Sequence, residues 1–258
     1  MSNPVMTPTG PQWGEGNVLT MTTAPFNVGD LMAFAFISTS GTSTAISGGG
    51  VSTWTLASSY LDTVSNIYAG IWWGVAESTQ TSTLTVTDPG FIGYYSTMWM
   101  REFTAPGANW SVVAANPAAG TVGGVPGTSG PEATYPALSP SGGGNDLYVG
   151  VGYAYDAHML PGSTPGFIYG TPGGVFPNTF QQVAYNWTAS TPQSPTAPLD
   201  GSSVYLLVAA MFTAGGGQVT SPVYATAASS IGGGSGAWVN PSYAEGPPAG
   251  NFATWTSP

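Results

Sequence analysis

The groups in this chain that can do acid–base or charge chemistry are few: one arginine, one histidine and 11 carboxylates among 258 residues. His158 stands alone, so a histidine-based metal centre is not expected, and any Ser–His–Asp arrangement has to run through it. Asp156 lies two residues away and would orient the ring as a base, with one of many serines as nucleophile. No G-x-S-x-G turn is present to expose such a serine. The plainer reading is a loop histidine with an acid nearby by chance. Most of the acids fall at turns or strand ends, where Asp serves the backbone. Glu102 is the exception, in mid-strand among aromatic residues. Two roles suit it: an acid of raised pKa in a glycosidase-like carboxyl pair, or the partner of a backbone group or a tyrosine hydroxyl. Calcium held by loop carboxylates near Asp146 or Asp156 finds no EF-hand-like or Asp-x-Asp-x-Asp spacing to support it. No catalytic residue, metal or cofactor is therefore expected.

Arg101 is the only Lys or Arg in the chain. It belongs to Tyr94–Thr104 (YYSTMWMREFT), which splits with a period of two into Tyr95, Thr97, Trp99, Arg101 and Phe103 on one face and Tyr94, Ser96, Met98, Met100 and Glu102 on the other. Both faces carry large apolar groups, which marks a strand covered on both sides. A lone cation beside Trp99 and Phe103 serves either in an ion pair or over an aromatic face. Arg101 and Glu102 are read as structural, with ligand contact by Arg101 the competing role.

Carbohydrate binding needs exposed rings beside amide and carboxylate groups. Trp110, Tyr135, Tyr155, Tyr169, Phe176 and Trp187 fall in or beside loops and are the candidates to contact glycan; the competing role is to pin long loops onto the sheets. Asn109-Trp110-Ser111 and Asn186-Trp187-Thr188 fit the glycosylation pattern, read here as accidental because no signal peptide is apparent.

Composition narrows the partners. Only 5% of residues are charged, and the formal net charge is −10. A chain with one cation cannot neutralise a phosphate backbone or dock on anionic headgroups, so nucleic acid and electrostatic membrane binding are disfavoured. Hydrophobic residues make up 42%, enough for a sizeable core, so low charge does not mean disorder here. Cysteine is absent, which removes disulfides and thiolate metal sites. No apolar run is long enough to span a bilayer as a helix. The N-terminus has no basic or apolar leader, so the chain is expected to be made in a cytoplasm and released by lysis.

The elements that must position these residues are strands. Asn17–Ala24, Leu31–Ser38, Trp54–Tyr60, Asn66–Val75, Ser82–Thr87, Asp146–Tyr155, Phe180–Trp187 and Ser203–Thr213 alternate or run apolar at strand length, with Gly/Pro punctuation between them. In Asn66–Val75 a small residue or glycine faces each ring, which predicts aromatics lying across the sheet with little room beneath. The Ser/Thr/Gly segment from 39 to Gly50 reads as a flexible loop, residues 106–144 (with a short strand candidate at Trp110–Ala114) and 156–179 as long loops, and Pro195–Gly201 as a turn. No window holds a helical pattern free of Gly or Pro. The expected fold is all-β: an antiparallel, jelly-roll-type β-sandwich over 17–214, preceded by an extended arm over 1–16. Residues 215–258 read as a Gly-rich linker and a partial second β module.

In this order of elements, Gly29-Asp30 leads into Leu31-Met32-Ala33-Phe34. Trp54-Thr55-Leu56 and Trp72-Trp73-Gly74-Val75-Ala76 follow, then a Thr-rich strand and Phe103-Thr104-Ala105-Pro106. The pattern resembles a β-sandwich domain of minor tail proteins of actinobacteriophages, mycobacteriophage-like ones included, and of some actinobacterial surface proteins. The resemblance covers most of residues 10–214, and Trp238, Asn240 and Pro241 resemble the opening of the modules that follow in such proteins. It implies a structural virion protein at the tail tip or fibre that contributes to host adsorption. Its implied partners are other tail proteins, further copies of itself (a trimer, as in many tail fibres) and host-envelope glycan or lipid. The family supplies no catalytic residues. The alternative function is a carbohydrate-binding β-sandwich module without catalysis.

Overall fold

The computed structural model of the protein describes residues 5–9, 18–23, 25–38, 45–63, 66–87, 97–105, 107–112, 129–141, 146–154, 157–170, 173–174, 181–215, 221–223 and 226–227. Among the described residues there is no helix, and the regular elements are all strands. The first group is β1 (Val5–Thr9), β2 (Val18–Thr23), β3 (Leu31–Ser38), β4 (Ala45–Gly48), β5 (Thr55–Asp62), β6 (Ile67–Val75), β7 (Ser82–Thr87), β8 (Thr97–Thr104) and β9 (Ser111–Val112). The second is β10 (Ser129–Thr134), β11 (Asp146–Ala154), β12 (Ile168–Gly170), β13 (Gly173–Gly174), β14 (Gln181–Ala189), β15 (Thr196–Thr213), β16 (Ser221–Val223) and β17 (Thr226–Ala227).

Three hydrogen-bonded sheets result, with orders β17-β1-β2-β7-β4, β13-β8-β3-β6-β5 and β10-β15-β11-β14-β12. All pairings but β1–β17 are antiparallel. The third sheet folds over itself. The first part of β15 pairs with β10 and its last part with β11, so one strand serves two layers. Strands that switch layers in this way make the corners of stacked sheets.

The alternation of side chains sets the stacking. On β3, Met32, Phe34 and Phe36 pack with Leu84, Val86, Trp72, Met98 and Met100 towards the β2–β7–β4 sheet. The residues between them, Leu31, Ala33, Ala35 and Ile37, pack with Leu147, Val149, Val151, Val208 and Phe212 of the β11–β15 layer. Tyr148, Leu207, Ala209 and Met211 on the far face of that layer pack with Tyr135, Ala197 and Leu199. Four layers thus enclose three cores. Every residue of β3 and of β11 is buried, as expected for strands covered on both faces.

The two halves of the stack repeat one topology. The inner layer of the first is β8-β3-β6-β5 and that of the second β15-β11-β14-β12. The outer layers match too. Ile46 faces Val86 between β4 and β7, and an isolated bridge joins Met159 to Leu199 at the corresponding place. Leu31 opposes Phe103, and Leu147 opposes Phe212; Phe103-Thr104-Ala105 and Phe212-Thr213-Ala214 close the two units with the same three residues. Across the middle core, Trp73 meets Phe212 at 6.2 Å between centroids, and Tyr185 meets Phe103 at 5.8 Å. These are the same contact seen from each side, the mark of an isologous two-fold interface. The tails are exchanged as well. β9, after the first unit, pairs Ser111 with Thr213 of the second, and β16, after the second, pairs Ser221 with Thr104 of the first.

The all-β expectation agrees with this architecture, and the stretch 17–214 holds both units. The even/odd split of the arginine-bearing strand is observed: Trp99 and Phe103 enter the middle core, Met98 and Met100 the outer one. Residues 91–96 lie outside the described residues. The turn expected at Pro195–Gly201 is instead strand, because β15 runs through it while crossing between layers. Strands β4, β10 and β12 lie where loop was expected. The close packing beneath rings is present. A methyl group at Gly150 would stand 2.7 Å from the Tyr135 ring, and one at Gly70 2.5 Å from the Trp72 indole.

Candidate functional site

The densest polar cluster sits where the first unit's last strand meets the turn before β3. Glu102 and Asp30 are both buried, at 1% and 5% exposure. Glu102 lies opposite Met32 in the β3–β8 register, which turns its carboxyl to the outer-core side. Its Oε1 accepts the Asn27 backbone N–H at 2.7 Å and the Asn27 side-chain amide at 3.3 Å. The same amide lies 3.2 Å from Asp30 Oδ2, which also accepts the Thr104 hydroxyl at 2.6 Å. Burial raises the Glu102 pKa from 4.5 to about 7, and the hydrogen bond and charge of Asp30 push it the same way. Both effects favour the protonated, neutral form of Glu102. The arrangement holds a turn; a substrate would have to displace the turn to reach it.

Arg101 faces the middle core, 6% exposed. Its Nη1 donates to the Tyr185 hydroxyl at 2.6 Å. The guanidinium lies 4.8 Å from the Tyr185 ring centroid and 5.9 Å from that of Trp99. Tyr185 belongs to the second unit, so the one cation of the chain ties the units together through a hydroxyl and two ring faces. The roles expected for Arg101 were an ion pair or an aromatic face, and its described contacts are two ring faces and a hydroxyl.

His158 is exposed, and its Nδ1 pairs with Asp200 Oδ2 rather than with its sequence neighbour Asp156, which lies outside the described residues. Asp200 Oδ1 also accepts the His158 N–H at 2.8 Å, and the Asp200 N–H donates to the His158 carbonyl at 3.1 Å. The hydrogen bond from the histidine side chain holds the Asp200 carboxyl below its ordinary range. An oriented imidazole can act as a base.

The aromatic candidates divide. Trp110 and Tyr135 are buried, contrary to the exposure that glycan contact requires. The Trp110 indole donates to Gly29 O at 3.1 Å, and burial lifts the Tyr135 hydroxyl well above its ordinary range. Tyr169 is half-buried with its hydroxyl on Thr196 O at 2.7 Å. Trp187, also half-buried, stacks on Tyr185 at 6.1 Å. Tyr155 and Phe176 lie outside the described residues. Asp146 serves its own loop, accepting the Ser141 N–H at 2.6 Å and hydroxyl at 2.9 Å. Asn186 is buried, its side-chain oxygen taken by the Thr188 N–H and hydroxyl, each at 2.9 Å. No group of three or more His, Asp or Glu able to hold a metal occurs among the described residues. Among them, too, no helix is long and apolar enough to cross a membrane.

The Asp30–Glu102 and His158–Asp200 pairs were missed from the sequence as pairs. Their separations are 72 and 42 residues, and only the register of paired strands brings them together. A comparison with family models, curated proteins and solved structures found no match.

Proposed function

We propose that this chain is a structural virion protein of a tailed phage, a minor tail protein at the tail tip or fibre that aids host adsorption without catalysing a reaction. One observation supports it most: in the described residues, the groups able to do chemistry are committed to holding strands and turns together. Glu102 and Asp30 hold a turn, Arg101 joins the two units, and Asp146 and Asn186 close their own loops. The exposed His158–Asp200 pair is the exception. Four rigid layers, two exchanged tails and a surface poor in charge suit a load-carrying component released by lysis. The resemblance of the Gly29–Phe34, Trp72–Ala76 and Phe103–Pro106 stretches to actinobacteriophage tail domains gives the reading its setting. Its partners on this view are other tail proteins, further copies of this chain in a homo-oligomer such as a trimer, and host-envelope glycan or lipid.

The test is twofold. Mass spectrometry and immunogold labelling of purified virions should place the chain at the tail. Fluorescently labelled protein should bind intact actinobacterial cells saturably and unrelated bacteria not at all. Absence from virions refutes the reading. Presence in virions without cell binding leaves a scaffold role. Quenching of tryptophan fluorescence by cell-wall glycans, together with absence from virions, favours a free carbohydrate-binding module.

A further inference from the structure

The strands that end the sheets are guarded, with one exception. An open sheet edge invites another chain to pair with it, and proteins blunt such edges with short strands, Pro, charge or a covering strand. β4 has four residues and runs into Gly48, Gly49 and Gly50, with φ of 74°, 72° and 78°. β12 has three residues, and β9, β13, β16 and β17 have two or three each. β10 carries Pro131 and the exposed Glu132, with a register shift between Gly130 and Glu132. The far side of β8 receives β13 and β16, and that of β15 receives β9. Among the described residues the exception is β5. It ends the β13-β8-β3-β6-β5 sheet, has eight residues and holds no Pro, Lys or Arg. Its one acid, Asp62, is buried.

The second unit shows that the topology does not require such an edge. There β12 takes the place of β5; its Ile168 is buried, and its Tyr169 hydroxyl is tied to Thr196 O. β5 instead presents Leu56 and Leu61, 47% and 38% exposed. Residues five apart on a regular strand point to opposite faces. The register shift between Leu56 and Ser58 brings both leucines to one face, Leu56 beside Trp72 and Leu61 beside Tyr68. Trp72 and Tyr68 belong to the outer core, so this is the outer-core side of the sheet. Re-aiming a side chain is a recurrent use of a bulge. The result is an edge free of exposed charge, with an apolar side chain near each end, on a chain whose net charge is −10.

We propose that β5 is the contact by which two copies of this chain associate, pairing antiparallel about a two-fold axis so that the inner sheets of their first units become one sheet. The strand suits its own duplicate. Leu56 of one copy comes beside Leu61 of the other, and the axis repeats the contact. Asp62 comes beside Thr55 of the other copy rather than beside another Asp62, so like charges do not meet. Elsewhere an acidic surface repels its copies, whereas this edge does not. Isologous pairing also closes on itself and removes the edge from both copies at once. The inference names a self-contact for the homo-oligomer proposed above, two-fold rather than three-fold. It rests on the edge alone, and a chain absent from virions would still pair in this way.

Sedimentation equilibrium of the full chain at micromolar concentration should give a mass near twice 26.1 kDa, falling towards that of one chain on dilution. Leu56→Lys combined with Leu61→Lys puts charge on the edge and should weaken the dimer at least about a hundredfold. Both leucines are exposed, so the circular dichroism of the variant should match the parent. A second readout does not depend on that variant. The chain has no cysteine, so Thr55→Cys, at an exposed position, gives a single site for a spin label. In the pairing, residue 55 of one copy lies opposite Asp62 of the other, seven residues along the strand from its duplicate. Two labels should then stand roughly 25 Å apart by pulsed dipolar spectroscopy. A chain that stays monomeric overturns the pairing and leaves the edge to a foreign strand. A trimer, a dimer undiminished in the double Lys variant, or a label separation far from that value overturns it too.

Discussion

Removing one oxygen from Tyr185 tests how the two units are tied. Tyr185 is fully buried, and its hydroxyl takes Nη1 of Arg101 at 2.6 Å. Phenylalanine keeps the ring contacts to Trp99, Phe103 and Trp187 and the ring face under the guanidinium. Tyr185→Phe therefore removes a charge-assisted hydrogen bond and little else. Such bonds are worth about 1.5–3 kcal/mol. The expected loss is about 2 kcal/mol. Arg101→Met removes the charge and takes this donor from the hydroxyl. Replacing a buried charged group by an apolar one of similar length ranges from neutral to about 4 kcal/mol stabilising, and the lost hydrogen bond offsets about 1–3 of that. The double variant has neither problem and should be at least as stable as the parent. The second unit supports this, since Ala210 occupies the place of Arg101 opposite Val149, as Arg101 lies opposite Ala33. Urea unfolding followed by tryptophan fluorescence gives the midpoints, and equal m-values check that the same transition is compared. On these terms the cycle should return a coupling energy of about 3–5 kcal/mol, the sum of the two single-variant penalties that the double variant escapes. Tyr185→Phe within about 0.5 kcal/mol of the parent, or a double variant that loses the sum of the singles, would refute the reasoning.

Other consequences follow from single contacts. Because the Glu102 pKa is raised in the fold, from 4.5 to about 7, the contribution of Glu102 to stability should be fully present below pH 4.5 and lost as pH rises through about 7. That shift corresponds to roughly 3 kcal/mol, and Glu102→Gln should flatten the difference when melting is followed across pH 4–8.5. A methyl group at Gly74 would lie 2.3 Å from Val51 and 2.8 Å from the Thr53 backbone oxygen, so Gly74→Ala should cost about 1–3 kcal/mol by overpacking, read from the urea midpoint. Trp110→Phe removes the indole bond to Gly29 O and should cost about 1 kcal/mol, with the same assay as check. Asp200→Asn, in an exposed pair, should leave the midpoint unchanged within about 0.5 kcal/mol.

The strands legible in the sequence were those whose burial dictates their composition. β3, β11 and the second part of β15 are closed in on both faces, so they read as continuous apolar runs bounded by turn residues. β8 was legible by its period because both alternate faces carry large side chains. β4 has three of its four residues exposed and its apolar content is one isoleucine, so it lacks the pattern that marks a strand. The duplication was hidden for a different reason. Matched core positions exchange volume: Phe34 and Phe36 of β3 correspond to Gly150 and Gly152 of β11, where Tyr135, Leu207 and Met159 fill the space instead. A core conserves its total volume more strictly than the residue at each place. The two units therefore share layer order and register while sharing few residues in line.

The two units also show which parts of the candidate site the fold does not need. Both stacks close over the same strand order, and the interface between them repeats its Trp73–Phe212 contact as Tyr185–Phe103. Yet the first unit carries Arg101-Glu102 where the second carries Ala210-Met211. Adjacent residues on a strand point to opposite faces, so this arginine and this glutamate cannot neutralise each other. Each is instead held by groups far away in sequence, Arg101 by Tyr185 and Glu102 by Asn27 and Asp30. An apolar pair would fill both cores without burying an ionisable group. The two residues thus serve as constraints: Arg101 ties the second unit to the first, and Glu102 holds the turn before β3. Both constraints fall on the single strand that also receives the tail of the other unit. Among the described residues, the buried Arg101 and Glu102 both stand on β8, where unit, turn and tail meet.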